Sequence, residues 1–408
     1  MSILNSLNNP DIWNEFFIFK TNKGLLKKRE FKFLSNFIEN QEYLPIAKSI
    51  ILNNYQFDFP TKYIINKSGS DKKRVVYRFS KSETIILKMI SYLLYKYDSK
   101  ICKSCYSFRR NITAKNAISD ICSIKNLNEK YVLKVDIHNY FNSIPSKSLV
   151  IVLKEIIDDD NQLLNLLSDI ILKNQVYQYD NENNKILITE NCGAMAGVPI
   201  SAFFANIYLK SLDLIFEEKG INYFRYSDDI LVFADSLEEI IFYKNLIFNH
   251  ISKKGLSINS DKVKISNPNE DWDFLGFCYR KGNIDLSKAT LVKIKSKIKR
   301  KSHALMRSKN RKGYSFDQVA SDLADHFNRK FYDEENEMNF TWSRWFFPII
   351  TTVESLHLID QYLIEYMRYL NTGVHSKKNF NIKYSYLKEL GFRSLVNEYY
   401  KSNKKRNF

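Results

Sequence analysis

The sequence predicts an α+β fold with antiparallel strands, on three observations. Stretches rich in β-branched and aromatic residues fold back around polar tips. Apolar positions at helical spacing fill the segments between them, and a long basic stretch near residue 300 keeps one apolar face. The 408 residues suffice for two or three packed units. Lys and Arg number 62 against 45 Asp and Glu, a net charge of +17, so the expected partner is a polyanion, either nucleic acid or an anionic membrane. No apolar run approaches the roughly 18–20 residues of a membrane span. Met1 to Asn14 is neither Arg-rich nor a charged lead into an apolar stretch, so a soluble, cytoplasmic protein is expected.

In chain order, apolar spacing at Phe31, Leu34, Phe37 and Ile38 predicts one or two amphipathic helices in the first sixty residues. From Tyr63 to Phe79, YIINKSGSDKKRVVYRF reads as two strands around a Ser-Gly-Ser-Asp turn, a basic hairpin, after which helical spacing resumes through Tyr97. YVLKVDI, Tyr131 to Ile137, is a compact strand with a carboxylate near its end. A second hairpin spans about Val176 to Thr189 with Asp-Asn-Glu-Asn-Asn as its tip, followed by a loop and helix from Gly193 to Phe216. NYFRYSDDILVFA is then a tight strand-turn-strand whose tip is Ser227-Asp228-Asp229.

From Ser287 to Gly313 there are eleven Lys or Arg and no Asp or Glu, with Leu291, Ile294, Ile298 and Leu305 at helical spacing, which predicts a basic amphipathic helix. The rest is aromatic-rich and mostly helical, with a loop around residues 371–375. The five cysteines, Cys102, Cys105, Cys122, Cys192 and Cys278, are expected as buried free thiols; the Cys102-Cys105 pair has no second pair or paired His at zinc-site spacing.

Asp136, at the end of one apolar strand, and Asp228-Asp229, at a hairpin tip about ninety residues later, carry the chemistry. Antiparallel pairing of these elements would bring three carboxylates within a few ångströms, where repulsion raises their pKa values unless hard cations intervene. Mg²⁺ suits such an oxygen-only site. In a two-metal arrangement, one ion activates an attacking 3′-oxygen and the other steadies the leaving pyrophosphate, which is nucleotidyl transfer. Either acidic site alone reads equally well as an ordinary polar turn or a helix cap.

VDIHNYFNSI, AGVPISAFFANIYL, FRYSDDILVF, GLSINSDK and FLGF occur in the order of a reverse-transcriptase palm, and the Tyr226-Ser227-Asp228-Asp229 box resembles that family's Y-x-D-D. KSGSDKKRVVYRF resembles the basic finger hairpin, and CYSFRRNITAKNAI the segment that group II intron and retron enzymes carry before the first catalytic Asp. LNTGVHSKKNF and ELGFRSLVNEYYK look like the thumb of bacterial defence-associated reverse transcriptases. The resemblance covers nearly the whole chain. It implies a right-hand polymerase fold: an N-terminal helical extension at 1–60, fingers at 61–130, a palm with an antiparallel sheet at 131–282 (a finger insertion at about 145–192), and a helical basic thumb at 283–408.

Carried over by position, the resemblance makes Asp136 and Asp228 the principal ligands of two Mg²⁺ ions, Asp229 the supporting carboxylate and Ile137 a backbone-carbonyl ligand. Lys67 and Arg74 would grip the triphosphate, with Lys72 and Lys73 as neighbours able to replace Lys67 and with Arg74 suited by its fork of donors. Lys262 matches a lysine that protonates pyrophosphate, and could equally be a surface lysine. Phe141 stands where an aromatic ring under the sugar excludes a 2′-hydroxyl, unless Tyr140 faces the site and Phe141 is core. Tyr226, Gly197, Pro199, Ser201 and Asn206 match the family's substrate-contacting positions. Ala196 stands where relatives read Gln and Ala202 where they commonly read Pro, so an amide donor and acceptor near the nucleotide is lost.

The function so implied is an RNA-directed DNA polymerase that uses dNTPs and a DNA product or primer, copies a cognate structured non-coding RNA, and acts in anti-phage defence. Alternatives are a template-independent or protein-primed polymerase of the abortive-infection type, and a maturase-like RNA-binding scaffold. The sequence does not read out the oligomeric state.

Overall fold

The computed structural model describes residues 2–22, 26, 28–66, 73–332 and 341–404, and its contacts divide the chain into two units, Met1–Asn269 and Glu270–Phe408. The strands of the first unit are β1 (Thr61–Asn66), β2 (Lys73–Arg78), β3 (Tyr131–Asp136), β4 (Gln175–Tyr179), β5 (Lys185–Thr189), β6 (Tyr223–Tyr226), β7 (Asp229–Ala234) and β8 (Lys264–Ser266). They form two sheets, one in the order β6-β7-β3-β8 and the other β2-β1-β4-β5.

The first sheet is antiparallel throughout. Its middle strands bury Val132, Leu133, Val135, Ile230, Leu231 and Val232, the near-continuous β-branched pattern of strands covered on both faces. The second sheet joins both sequence-predicted hairpins through a parallel contact between Thr61 and Tyr177. The turn between β1 and β2, with Lys67 and Lys72, lies outside the described residues.

Eleven helices surround the sheets among the described residues of this unit: α1 (Pro10–Asn22), α2 (Lys28–Glu39), α3 (Leu44–Ile51), α4 (Lys81–Leu93), α5 (Ala114–Cys122), α6 (Tyr140–Ser143), α7 (Ser146–Ile156), α8 (Asn161–Leu172), α9 (Ser201–Tyr208), α10 (Lys210–Glu218) and α11 (Leu237–Lys253). Among the described residues, the first sixty hold three α-helices and a 3₁₀ turn, more than the spacing predicted. Leu4, Leu7, Trp13 and Phe16 are fully buried and share one apolar cluster with Leu133, Val135 and Ile230. The amino-terminal residues are pinned as well: Ser2 Oγ and the Ile3 amide both donate to the carboxylate of Asp160, which also caps α8.

The second unit opens with an antiparallel sheet of β9 (Trp272–Phe274), β10 (Phe277–Arg280) and β11 (Asn283–Leu286). Backbone bonds from Ser287 to Gly276 and from Thr351 to Ile284 tie this sheet to the segments beyond residue 286, so the contacts divide the chain ahead of the composition change at Gly282. The basic helix α12 (Lys288–Lys312) buries Ile294, Ile298, Ser302 and Leu305 and ends on Gly313 at φ +69°. It packs with α13 (Phe316–Phe331) and α15 (Glu354–Thr372); the unit also holds α14 (Trp342–Phe346), α16 (Tyr384–Glu389) and α17 (Leu395–Lys404).

No helix among the described residues is long and apolar enough to cross a membrane. The five cysteines are free. Cys102, Cys105 and Cys192 are buried as expected, whereas Cys122 is exposed at the end of α5 and Cys278 half-buried, because each sits on an element with one solvent-facing side.

Candidate active site

Strand register gathers the three carboxylates. Asp136 ends β3 and lies directly across from Asp229, which begins β7; Asp229 also pairs with Tyr226, leaving Ser227 and Asp228 as the two-residue tip of the β6–β7 hairpin. Such tips need positive φ, and Ser227 adopts +61°. The Ile137 amide donates to the Asp228 carbonyl at 3.1 Å, clamping the backbone after β3 onto the tip. Asp136, Ile137, Asp228 and Asp229 are thereby brought together.

Asp136 is 5% exposed, and a carboxylate at that depth needs compensation. Lys262, which ends a 3₁₀ turn at Ser260–Lys262, places its ammonium 2.6 Å from Oδ2, and Asn259 Nδ2 donates to Oδ1 at 3.2 Å. Lys262 is thus ion-paired with a buried carboxylate, although its own side chain is partly exposed. Burial raises the pKa of Asp228, and the charge of Asp136 adds to the rise; Lys262 and Arg74 oppose it. Arg74, exposed on β2, therefore acts electrostatically on the hairpin tip. Asp229 is pushed up to about 6, first by burial and then by the neighbouring Asp228 charge.

Among the described residues, no three His, Cys, Asp or Glu side chains stand as a ready metal cage. Asp136 is engaged instead by Lys262 and Asn259. The donor chemistry nonetheless fits a hard divalent cation: three carboxylates on adjoining strand ends, two of them with raised pKa values that a cation would relieve.

A buried polar network holds the tip from below. Ser107 Oγ accepts from the Ser227 amide at 2.9 Å and donates to Asn206 Oδ1 at 2.7 Å, while Asn206 Nδ2 donates to the Ser107 carbonyl at 2.6 Å. Arg225, fully buried within β6, donates through Nε and Nη2 to both carboxylate oxygens of the equally buried Asp213. Arg225 also donates to the carbonyls of Asn206 and Ser227, and Tyr223 Oη donates to Asp213.

Sequence reasoning missed Ser107, Asp213, Arg225 and Asn259. The one available signal was Arg225, since an Arg inside an apolar strand demands a buried acceptor. Asn206 and Ser201 lie in the core: Asn206 is 1% exposed with its amide engaged by Ser107, and Ser201 is 2% exposed with its hydroxyl on the Met195 carbonyl, so both brace the backbone around the site.

On the open side, Tyr140 is the buried ring, 2% exposed with Oη donating to the Ala205 carbonyl at 2.6 Å, while Phe141 is half-exposed. Phe141 meets Phe108 edge to face at 6.3 Å, and Phe108 lies 6.2 Å from Tyr226, an aromatic wall whose Phe108 member sequence reasoning did not single out. The loop bearing Ala196, Gly197 and Pro199 docks on this wall's backbone and on β2. Ala194 N donates to the Phe141 carbonyl, Asn142 bridges the Ala196 amide and the Val75 carbonyl, and Tyr77 N donates to the Ala196 carbonyl. Gly193, at φ +57°, must be Gly, because a Cβ there would sit 2.6 Å from the Phe141 carbonyl oxygen.

Residues 65–279, more than half of the chain, match the family described as reverse transcriptase (RNA-dependent DNA polymerase). The chain is similar to the retron Ec86 reverse transcriptase of Escherichia coli, with 23% identity over 252 residues, 60% of this chain and 71% of that protein. Among solved structures, the apo telomerase of Candida tropicalis, truncated from its C-terminal domain, superposes with a TM-score of 0.45 at 14% identity, covering 57% of this chain and 55% of that one. This chain thus spans about half of that telomerase's length. The telomerase of Candida albicans bound to a fragment of telomeric RNA has the same TM-score and identity over 89% of this chain and 71% of that one.

Proposed function

The chain belongs to the reverse transcriptase family, the RNA-dependent DNA polymerases, and from that premise we propose that Asp136, Asp228 and Asp229 are its catalytic carboxylates and hold two Mg²⁺ ions. The observation that carries this reading is the strand register that sets Asp136 opposite Asp229 with Asp228 at the adjoining tip. Enzymes of the family generally use divalent metals; when bound, the ions supply activation of the attacking oxygen and neutralisation of the departing pyrophosphate.

The chain's own residues do the rest. Lys262, already on Asp136 at 2.6 Å, puts a proton donor beside the carboxylates for the departing pyrophosphate. Arg74, on β2 and near enough for its charge to lower the pKa of Asp228, binds the triphosphate. Phe141, backed by Phe108, fills the space of a ribose 2′-hydroxyl and selects dNTPs. Gly197 and Pro199 present a short loop to the template. The template is a cognate structured non-coding RNA and the setting is anti-phage defence, a reading supported by similarity to a retron enzyme.

Asp228→Asn is expected to lower dNTP incorporation on a primed RNA template at least about a thousandfold, the several kcal/mol that metal charge stabilisation supplies. Retained incorporation would contradict the assignment. Incorporation by the unsubstituted protein from single dNTPs without any template would favour the template-independent alternative.

A further inference from the structure

Nothing in the catalytic reading uses the cavity of about 580 Å³ on the second unit, at the carboxyl end of α15 and the 3₁₀ turn Lys377–Asn381 beyond it. Its wall includes Gln361, Arg368, His375, Lys377, Phe380 and Tyr384. We infer that this cavity is a second nucleic-acid site, which takes one unstacked nucleotide from a single-stranded segment of the RNA that the enzyme binds. The inference rests on the reverse-transcriptase reading for the choice of RNA as partner.

Three observations carry it. The first is a large apolar ring held out to solvent: Phe380 is 68% exposed, against the usual tendency to bury such a side chain. Its ring lies 5.2 Å from the Arg368 guanidinium, and Arg368 is itself fixed by a bond from Nε to the Ile382 carbonyl at 3.1 Å. A ring backed on one face by a fixed cation and open to water around most of its surface is a platform for a base.

The second is charge. From Thr372 to Lys388 the chain carries four Lys and His375 with no Asp or Glu, so the rim attracts a phosphate chain. Glu365, the acid on this wall, is engaged by His375 Nδ1 at 2.9 Å. The third is rigidity. Asn379, 4% exposed, donates to the Val374 carbonyl and accepts from Thr372 Oγ1; His375 stacks on Tyr369 at 5.0 Å, and Tyr369 on His303 of α12 at 5.2 Å. Gly373 ends α15 at φ +78°, where a Cβ would meet Met306 at 2.8 Å. The loop is built in advance of any ligand, which limits the ordering cost of binding.

Stacking on an aromatic platform, cations for the flanking phosphates and a polar edge from Gln361 and Ser376 are what an unpaired nucleotide recruits. The test uses the full chain and a fluorescent 20-nucleotide unstructured polyuridine RNA, with affinity read by anisotropy and contacts by 5-iodouridine photo-crosslinking. Phe380→Ala is expected to weaken binding on the order of fivefold to a hundredfold and to erase the crosslink at the 377–384 peptide. Lys377→Ala, also exposed, should lower affinity and flatten its salt dependence. Unchanged affinity in Phe380→Ala with crosslinks elsewhere, or a loss confined to single-stranded DNA of the same length, would overturn the inference. Asp228→Asn should bind the RNA normally while failing to extend, which separates failure of this site from failure of the catalytic reading.

Discussion

Asp229 titrates near 6 because burial and the Asp228 charge oppose its ionisation, and its ordinary value is 3.8. With the folded-state pKa raised, the proton is held more tightly in the folded chain. The associated stability is therefore fully present below the unfolded value and lost as pH rises through 6. In chelator, Asp229→Asn is expected to stabilise the protein by on the order of 2 kcal/mol at pH 8 and not at pH 3.5, measured by urea unfolding. Equal effects at both pH values would contradict this electrostatic account. Phe141→Val is expected to admit ribonucleotides, with the dNTP to rNTP preference falling by about tenfold or more; unchanged discrimination would contradict the gate, since Tyr140 is committed to the Ala205 carbonyl. Asp136 and the Asp228-Asp229 pair were legible because carboxylates at the ends of apolar strands are conspicuous in sequence. Ser107 was not, since it acquires its role only by meeting Ser227 and Asn206, 120 and 99 residues away.

The β6–β7 hairpin keeps its shape because Arg225 and Asp213 join it to α10 inside the core. Breaking a buried pair from one side strands a charge. Asp213→Ala is expected to cost about 3–5 kcal/mol in equilibrium unfolding, while a loss under about 0.5 kcal/mol would show the pair to be dispensable. Elements of five or more residues with clear alternation or helical spacing, such as β1, β2, β4, β5 and α12, were readable along the chain. The strands β8 to β11 run three or four residues each, too few for a period to declare itself. The parallel contact of β1 with β4 joins residues 61 and 177, and no local pattern announces a pairing over that distance.

Across the whole molecule, the net charge of +17 correctly pointed to a polyanion but could not say which. The family match over residues 65–279 resolves that choice in favour of nucleic acid. The sheet whose strands β3 and β7 bring the carboxylates together lies in the first unit, as do Lys262 and Arg74. The second unit contributes its basic helix and the aromatic cavity at Phe380.

The most direct measurement replaces Mg²⁺ with Fe²⁺ in the presence of primed RNA and dNTP, adds hydrogen peroxide and ascorbate, then maps backbone cleavage by the hydroxyl radicals generated at the metal. The account expects two cuts, one beside Asp136 and one beside Asp228, both lost in Asp228→Asn. Cleavage at other positions only, or the same cuts surviving that substitution, would contradict a metal held by these three carboxylates.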